Sequence, residues 1–297
     1  MAHMDENITL STSARREIGR LVDRYLATSS LRDRRLFEVL MLDGYYHTTL
    51  DSVDPQHFES ALLAKLQLGM IITLCDDLAD HPRHRDPQLL AALYRLNINS
   101  TAPHPDLANE RQRRTYELAC SLMHELTLLV RDFPHGNELA SLLAFDIHQF
   151  YQANRYAEII SDSPHLASLD ELRVLGPHNM GMVPAYTIDL MASRGVDMSQ
   201  LGRCREVFLL GQRVGRISNV LATYERELAE GDRTNELIVG ATQRTLDEHR
   251  RGLFDEAERL IAEIEANKRA VTAFRVTSYV QSLRRLHTLY FAMRGIV

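Results

Sequence analysis

The chain has 297 residues, 45% of them hydrophobic, enough for one large domain with a sizeable core. Its formal net charge is only −6 and its arginines are scattered among carboxylates, which excludes the basic face that tracks a nucleic-acid backbone. The longest apolar stretches, such as Leu66 to Leu74, fall short of the ~20 residues needed to cross a bilayer, so neither nucleic acid nor a membrane is an expected partner.

Met1 to Met4 read Met-Ala-His-Met, an expression-vector remnant in pattern, and residues 5–297 read as a single α-helical domain. Cys75, Cys120 and Cys204 lack the paired spacing of a zinc site or disulfide framework and fit a reducing cytoplasm. The prolines, Pro55, Pro82, Pro87, Pro103, Pro105, Pro134, Pro164, Pro177 and Pro184, all fall where the helical apolar pattern pauses. Between them apolar residues recur every three or four positions, as in Leu118, Leu122, Leu126 and Leu129, or Val207, Leu210, Val214, Ile217 and Leu221. Alternating strand-like runs are missing, and Asp43-Gly44 is followed by a helix-like segment. This predicts an all-α fold with helices over 12–27, 31–49, 55–80, 88–96, 108–132, 136–158, 168–175, 179–194, 199–229, 235–266 and 269–293. No fixed-period repeat supports a solenoid.

The helix predicted over 55–80 ends in the string KLQLGMIITLCDDLAD, from Lys65 to Asp80. Asp76 and Asp80 are four apart and Asp77 and Asp80 three apart, so on a helix their carboxylates share one neighbourhood and repel each other. They also oppose the macrodipole at a helix C-terminus. A hard divalent cation, magnesium above all, is the natural compensation; read alone, the string is also a solvated acidic helix end. The interruption from His81 to Pro87 places it at the mouth of a bundle.

A second polar cluster lies in RISNVLATYERELAEGDRTNEL, from Arg216 to Leu237. Asn219, Thr223 and Glu227, spaced by four, put an amide oxygen, a hydroxyl and a carboxylate on one helix face over roughly 12 Å. Apolar Ile217, Val220, Leu221 and Leu228 flank them, and burying such a stripe without a partner is costly. Taken singly these are also incidental polar residues. Taken together, two oxygen-rich helix faces across a cavity would hold magnesium ions and a diphosphate.

Those residues resemble the class I terpene synthase family. The aspartate-rich motif is similar to Asp76-Asp77-Leu78-Ala79-Asp80, the second metal motif to Asn219, Thr223 and Glu227, and its flanking residues to Arg226, Gly231 and Asn235. The resemblance implies a helical bundle around a central cavity and ionisation of an allylic prenyl diphosphate, followed by cyclisation of the cation. It further implies three magnesium ions held by Asp76, Asp77, Asp80, Asn219, Thr223 and Glu227, with Arg226 on the diphosphate, and a homodimer by analogy. A diphosphate-sensing arginine maps to Arg173, 46 residues before Asn219, and Gly181-Met182-Val183-Pro184 resembles the helix break whose carbonyl faces the allylic carbon. Arg173 lies farther from Gly181 than the family pattern has it, and also reads as a surface arginine paired with Glu171 or Asp170. At the C-terminus, Arg284, Arg285 and Tyr290 stand where many members have an adjacent Arg-Tyr pair.

The pocket is expected to be apolar and dry, with cation-stabilising faces drawn from Tyr45, Tyr46, Phe145, Phe150, Tyr151 and Tyr186. With no tryptophan and 7% aromatics, the supply of such faces is low. That leans towards a twenty-carbon substrate, geranylgeranyl or pre-cyclised labdane-type diphosphate, with farnesyl diphosphate as the alternative. A chain-elongating prenyl transferase resembles the chain less, because the later motif is Asn-Thr-Glu rather than aspartate-rich. A non-catalytic helical binding protein is the alternative of another class. His124-Glu125 lacks the second histidine of a zinc hydrolase.

Overall fold

The computed structural model describes residues 8–29, 31–79, 84–100, 105–231, 234–241 and 245–293. Among these the protein forms twelve α-helices and no strand, with one isolated bridge between Val53 and Ser193. They are α1 (Thr12–Thr28), α2 (Leu42–Thr48), α3 (Phe58–Ala79), α4 (Pro87–Leu93), α5 (Glu110–Arg131), α6 (Gly136–Asp162), α7 (Leu169–Leu175), α8 (Met182–Met191), α9 (Leu201–Glu230), α10 (Glu236–Gly240), α11 (Leu246–Ala266) and α12 (Val276–Ala292).

Local chemistry explains where several of them begin. Ser11 caps α1, Asp86 caps α4 with Pro87 in its first turn, and Asn109 with Gln112 forms a capping box at α5. The helix expected over 235–266 is two helices, because a second capping box, Thr245 with Glu248, starts α11 afresh. The helix expected over 31–49 enters α2 through a π-helix, Leu36–Met41. That over 179–194 begins only at Met182, because Gly181 is left-handed with φ 61°. Pro184 sits in the first turn of α8, where its missing N–H breaks no helical bond. The helix expected from 269 starts at Val276, after an extended Arg275.

The core is organised around α3, buried on nearly every side against α1, α2, α4, α5, α6 and α8. Its low amphipathicity follows from being wrapped by neighbours. By length and composition α3 is apolar enough to cross a membrane, unlike the shorter runs noted in the sequence, but it is mostly buried inside the bundle. Beside it, Phe208 of α9 stacks on Tyr186 of α8 and on Phe274, and truncating such a ring costs about 3–5 kcal/mol. Helices α2, α3, α8, α9 and α12 leave between them a cavity of about 430 Å3.

Candidate active site

Along α3, Lys65, Gly69, Ile72, Thr73, Asp76 and Asp77 line this cavity, a helical stripe that carries the wall from its inner end to its mouth. Lys65 and Asp76 are thus separated by roughly 16 Å of helical rise. At the mouth, Arg32 places its Nε 2.7 Å and a terminal nitrogen 2.6 Å from Asp77 Oδ1, and 3.6 Å from Asp76 Oδ2. Asp77 Oδ2 is buried and has no hydrogen-bond partner. Burial pushes the Asp77 carboxyl up to about 6, although Arg32 opposes it. Asp80 lies outside the described residues.

On the opposite wall, Arg216, Asn219, Arg226, Glu227 and Glu230 of α9 reach the same mouth. Asn219 Oδ1 accepts from Arg216 at 3.0 Å, and Arg226 lies 3.2 Å from Glu227 Oε1 and 2.5 Å from Glu230 Oε2. Gly231, left-handed at φ 78°, ends α9 and turns the chain back. Asn235 then donates to Glu227 Oε2 at 2.7 Å and to the Val220 carbonyl at 3.1 Å, so the Gly and Asn downstream of the motif hold its glutamate in place. Thr223 is buried, does not line the cavity, and donates its hydroxyl to the Asn219 carbonyl at 2.9 Å.

Electrostatics joins the two walls. Enclosure raises the Asp76 carboxyl, with Glu227 across the mouth adding repulsion and Arg32, Arg216 and Arg226 acting against it. Among the described residues no three His, Cys, Asp or Glu side chains cluster as a ready-made metal cage. The donors are instead split between two helices and include an amide. This set fits magnesium: the oxygens are hard, Asp77 Oδ2 has no partner, and Asp76 and Glu227 repel each other in a site a cation would relieve. Of the three mouth arginines only Arg226 belongs to a sequence motif; Arg32 and Arg216 stand out in the structure alone, since no pattern separates them from the other arginines.

Several expected residues lie elsewhere. Arg173 does not line the cavity; its Nε sits 3.2 Å from Glu236 Oε1, with Asp170 at 3.6 Å. Glu236 is buried and also held by Arg213 at 2.8 Å, so α7 spends Arg173 on anchoring α10. Phe145 is 53% exposed. Phe150 is buried against Tyr151, and Tyr46 packs edge-on against Phe58; neither reaches the cavity. Tyr45 and Tyr186 line it, as does Tyr290 near the C-terminus, whereas Arg284 pairs with Glu258 at 2.9 Å. Gly181 adjoins the lining residues Asn179, Met180 and Met182, but its carbonyl accepts the Ala185 N–H at 3.2 Å. The positive φ of 61° favours glycine at position 181, where a Cβ would also meet the end of the Ile72 side chain at 2.2 Å.

The inner end of the cavity is not the apolar floor that the sequence suggested. Lys65 and Asp189, 1% and 0% exposed, form an ion pair at 2.8 Å. The ammonium also donates to Thr49 Oγ1 at 2.6 Å and to the Tyr45 carbonyl at 3.4 Å, and Asp189 Oδ2 accepts the Leu50 N–H at 3.1 Å. Burial pushes the ammonium down and the carboxyl up, each opposed by the other. The sequence signal of this pair is a lone lysine in the largely apolar stretch of α3 from Ala61 to Leu74.

No protein-family model and no curated protein sequence matches the chain. Solved structures do. Isoprene synthase from grey poplar leaves (Populus x canescens), in complex with three Mg2+ ions and dimethylallyl-S-thiolodiphosphate, aligns with a TM-score of 0.69 and 15% identity over 94% of this chain and 53% of that one. A second structure of the same synthase gives 0.68 and 14% over 93% and 52%. A point variant of cucumene synthase gives 0.61 and 14% over 99% of both chains. The chain thus spans about half the length of the isoprene synthase chains and nearly all of the cucumene synthase chain. At such identities the likeness concerns architecture, and it establishes that this all-α chain has the fold of these terpene synthases.

Proposed function

We propose that the protein is a class I terpene synthase that ionises an allylic prenyl diphosphate and cyclises the resulting carbocation. The observation that carries this reading is the meeting of Asp76 and Asp77 with Asn219 and Glu227 at the mouth of one cavity, beside Arg32, Arg216 and Arg226. The shared fold supports it, as does the magnesium and diphosphate-analogue content of the isoprene synthase structure. Asp76, Asp77, Asn219 and Glu227 are suited to hold magnesium, which when bound supplies positive charge against a departing diphosphate. The three guanidiniums would grip and orient the diphosphate oxygens. The allylic C–O bond then breaks with its electron pair leaving on the diphosphate, a step that needs charge stabilisation and no nucleophile.

The cation left behind faces Leu40, Met41, Met182 and Leu286, with Tyr45 and Tyr290 as ring faces beside it. Of the two substrate classes, the low supply of aromatic faces leans towards the twenty-carbon diphosphate, with the fifteen-carbon diphosphate as the alternative. The test is incubation with ten-, fifteen- and twenty-carbon allylic diphosphates, with and without magnesium and isopentenyl diphosphate. Pyrophosphate release and extractable products would be followed by mass spectrometry. Magnesium-dependent release of cyclic products without isopentenyl diphosphate is expected. Turnover only when isopentenyl diphosphate is present would indicate chain elongation instead. No release, together with no thermal stabilisation by magnesium pyrophosphate, would leave a binding protein.

A further inference from the structure

A cavity meant only for hydrocarbon gains nothing from polar walls at its inner end, yet this one has them. Besides Lys65 and Asp189, the lining there includes Thr48, Tyr45 and Tyr186. Tyr186 is 2% exposed, and its hydroxyl makes no well-formed hydrogen bond, although the hydroxyls of Thr48 and Tyr279 stand beside it. Thr48 spends its proton on the Gly44 carbonyl at 2.7 Å and has only lone pairs to offer. Tyr45 is accommodated by the bare Cα of Gly69, where a Cβ would lie 2.6 Å from the phenol oxygen.

The ammonium of Lys65 donates to Thr49 and Tyr45, and its charge is neutralised by the ion pair with Asp189. The inner end is therefore not a site for a further ion. What it retains is a phenol hydroxyl without a well-formed hydrogen bond and spare carboxylate lone pairs, the complement of a neutral alcohol that accepts one hydrogen bond and donates another. Hydrocarbon pressed against this surface would exclude water and leave the Tyr186 hydroxyl with only the poorly aligned hydroxyls of Thr48 and Tyr279 as partners, which is costly.

We propose that the inner end of the cavity is an oxygen-recognising subsite, which binds a hydroxyl group between the Tyr186 phenol and the Asp189 carboxylate. This rests on the terpene synthase reading and adds to it the class of substrate or product. The hydroxyl is carried in on the end of the allylic diphosphate remote from the diphosphate, or it arises there from a water molecule that adds to the final cation. In the second case the water oxygen forms the C–O bond with its lone pair, and one proton passes to the Asp189 carboxylate.

The experiment compares two allylic diphosphates that differ only in a hydroxyl at the remote end, each run in 18O-labelled water with the wild-type protein and with Tyr186→Phe. For a substrate-borne hydroxyl, wild type prefers the hydroxylated compound by at least about tenfold in kcat/KM, with no label in the product. Tyr186→Phe then brings that ratio to within about twofold of unity. For a water-derived hydroxyl, the hydrocarbon substrate yields a labelled alcohol, and Tyr186→Phe shifts the product towards unlabelled olefin. Thr48→Val, which removes an acceptor from the same spot, moves either readout in the same direction and guards against misfolding of the first variant. Equal kcat/KM for the two substrates with unlabelled olefin from wild type, unchanged by either variant, overturns the proposal. Absence of pyrophosphate release from every diphosphate overturns the enzyme reading itself, a failure separable from that of the subsite.

Discussion

The two ends of the cavity both carry charge on α3, yet they are built for opposite purposes. At the mouth, Asp76 remains 40% exposed and touches Arg32 only at 3.6 Å, while Asp77 keeps one buried oxygen without a partner. At the inner end, Lys65 and Asp189 are closed on each other at 2.8 Å and sealed from solvent. Carboxylates that are crowded and under-coordinated invite a cation. A neutralised pair has no such demand, and the groups around it can recognise only something polar and uncharged. Availability of lone pairs and protons, more than residue type, separates a charge that binds a ligand from one that fastens helices together.

The sharpest way to break this comparison is to change one acid at each end. Asp76→Ala is expected to lower pyrophosphate release by about a thousandfold without lowering the melting temperature of the metal-free protein, because the carboxylate removed is 40% exposed and touches Arg32 only at 3.6 Å. A comparable loss of folding stability in this variant would mean that the mouth is structural after all. Lys65→Met should do the reverse and cost about 3–5 kcal/mol in denaturant unfolding, since it strands a buried carboxylate. Adding Asp189→Leu to it should recover most of that loss, as apolar replacements of buried pairs commonly do. If the double variant were no more stable than the single one, the pair would not be a fastening between α2, α3 and α8.

A smaller effect calibrates both, at an ion pair belonging to neither end. Burial pushes the Glu236 carboxyl up, but Arg213 and Arg173 outweigh it and hold it below its ordinary 4.5. A carboxylate lowered in the folded state contributes stability above its unfolded value and loses it as the pH falls through the folded one. Glu236→Gln should therefore cost about 2 kcal/mol at neutral pH. The gap to wild type should narrow as the pH drops below about 4.5 and be nearly constant above about 6. A gap that widened in acid would contradict the sign of this linkage.

Much of the candidate site is legible because it is written in local spacing. Asp76 and Asp77 sit at the end of one apolar helix, and Asn219 and Glu227 along another, and each spacing fixes a face as soon as the segment is helical. The Gly231 and Asn235 pattern was legible for the same reason, and the structure supplies its cause in the turn that returns Asn235 to Glu227. Arg173 turns away from the cavity that its spacing suggests, because a distance along the chain says nothing of direction. Seven residues of α7 point it at Glu236 instead of the cavity. In the sequence Phe145, Phe150 and Tyr46 stand out as aromatics alone, and aromatic character does not distinguish an exposed ring or a core ring from one that faces a void.

By itself the sequence determined that the chain is helical, where most helices begin and end, and that two oxygen-rich faces exist. Periodicity, prolines and capping residues act through neighbours a few positions away, so they are readable in one dimension. Only the tertiary structure decided that those faces share a mouth, that Arg32 and Arg216 stand beside them, and that Lys65 meets Asp189 from a distant helix. Such pairings depend on how separate helices pack, and packing is set by the fit of whole surfaces that no local pattern encodes.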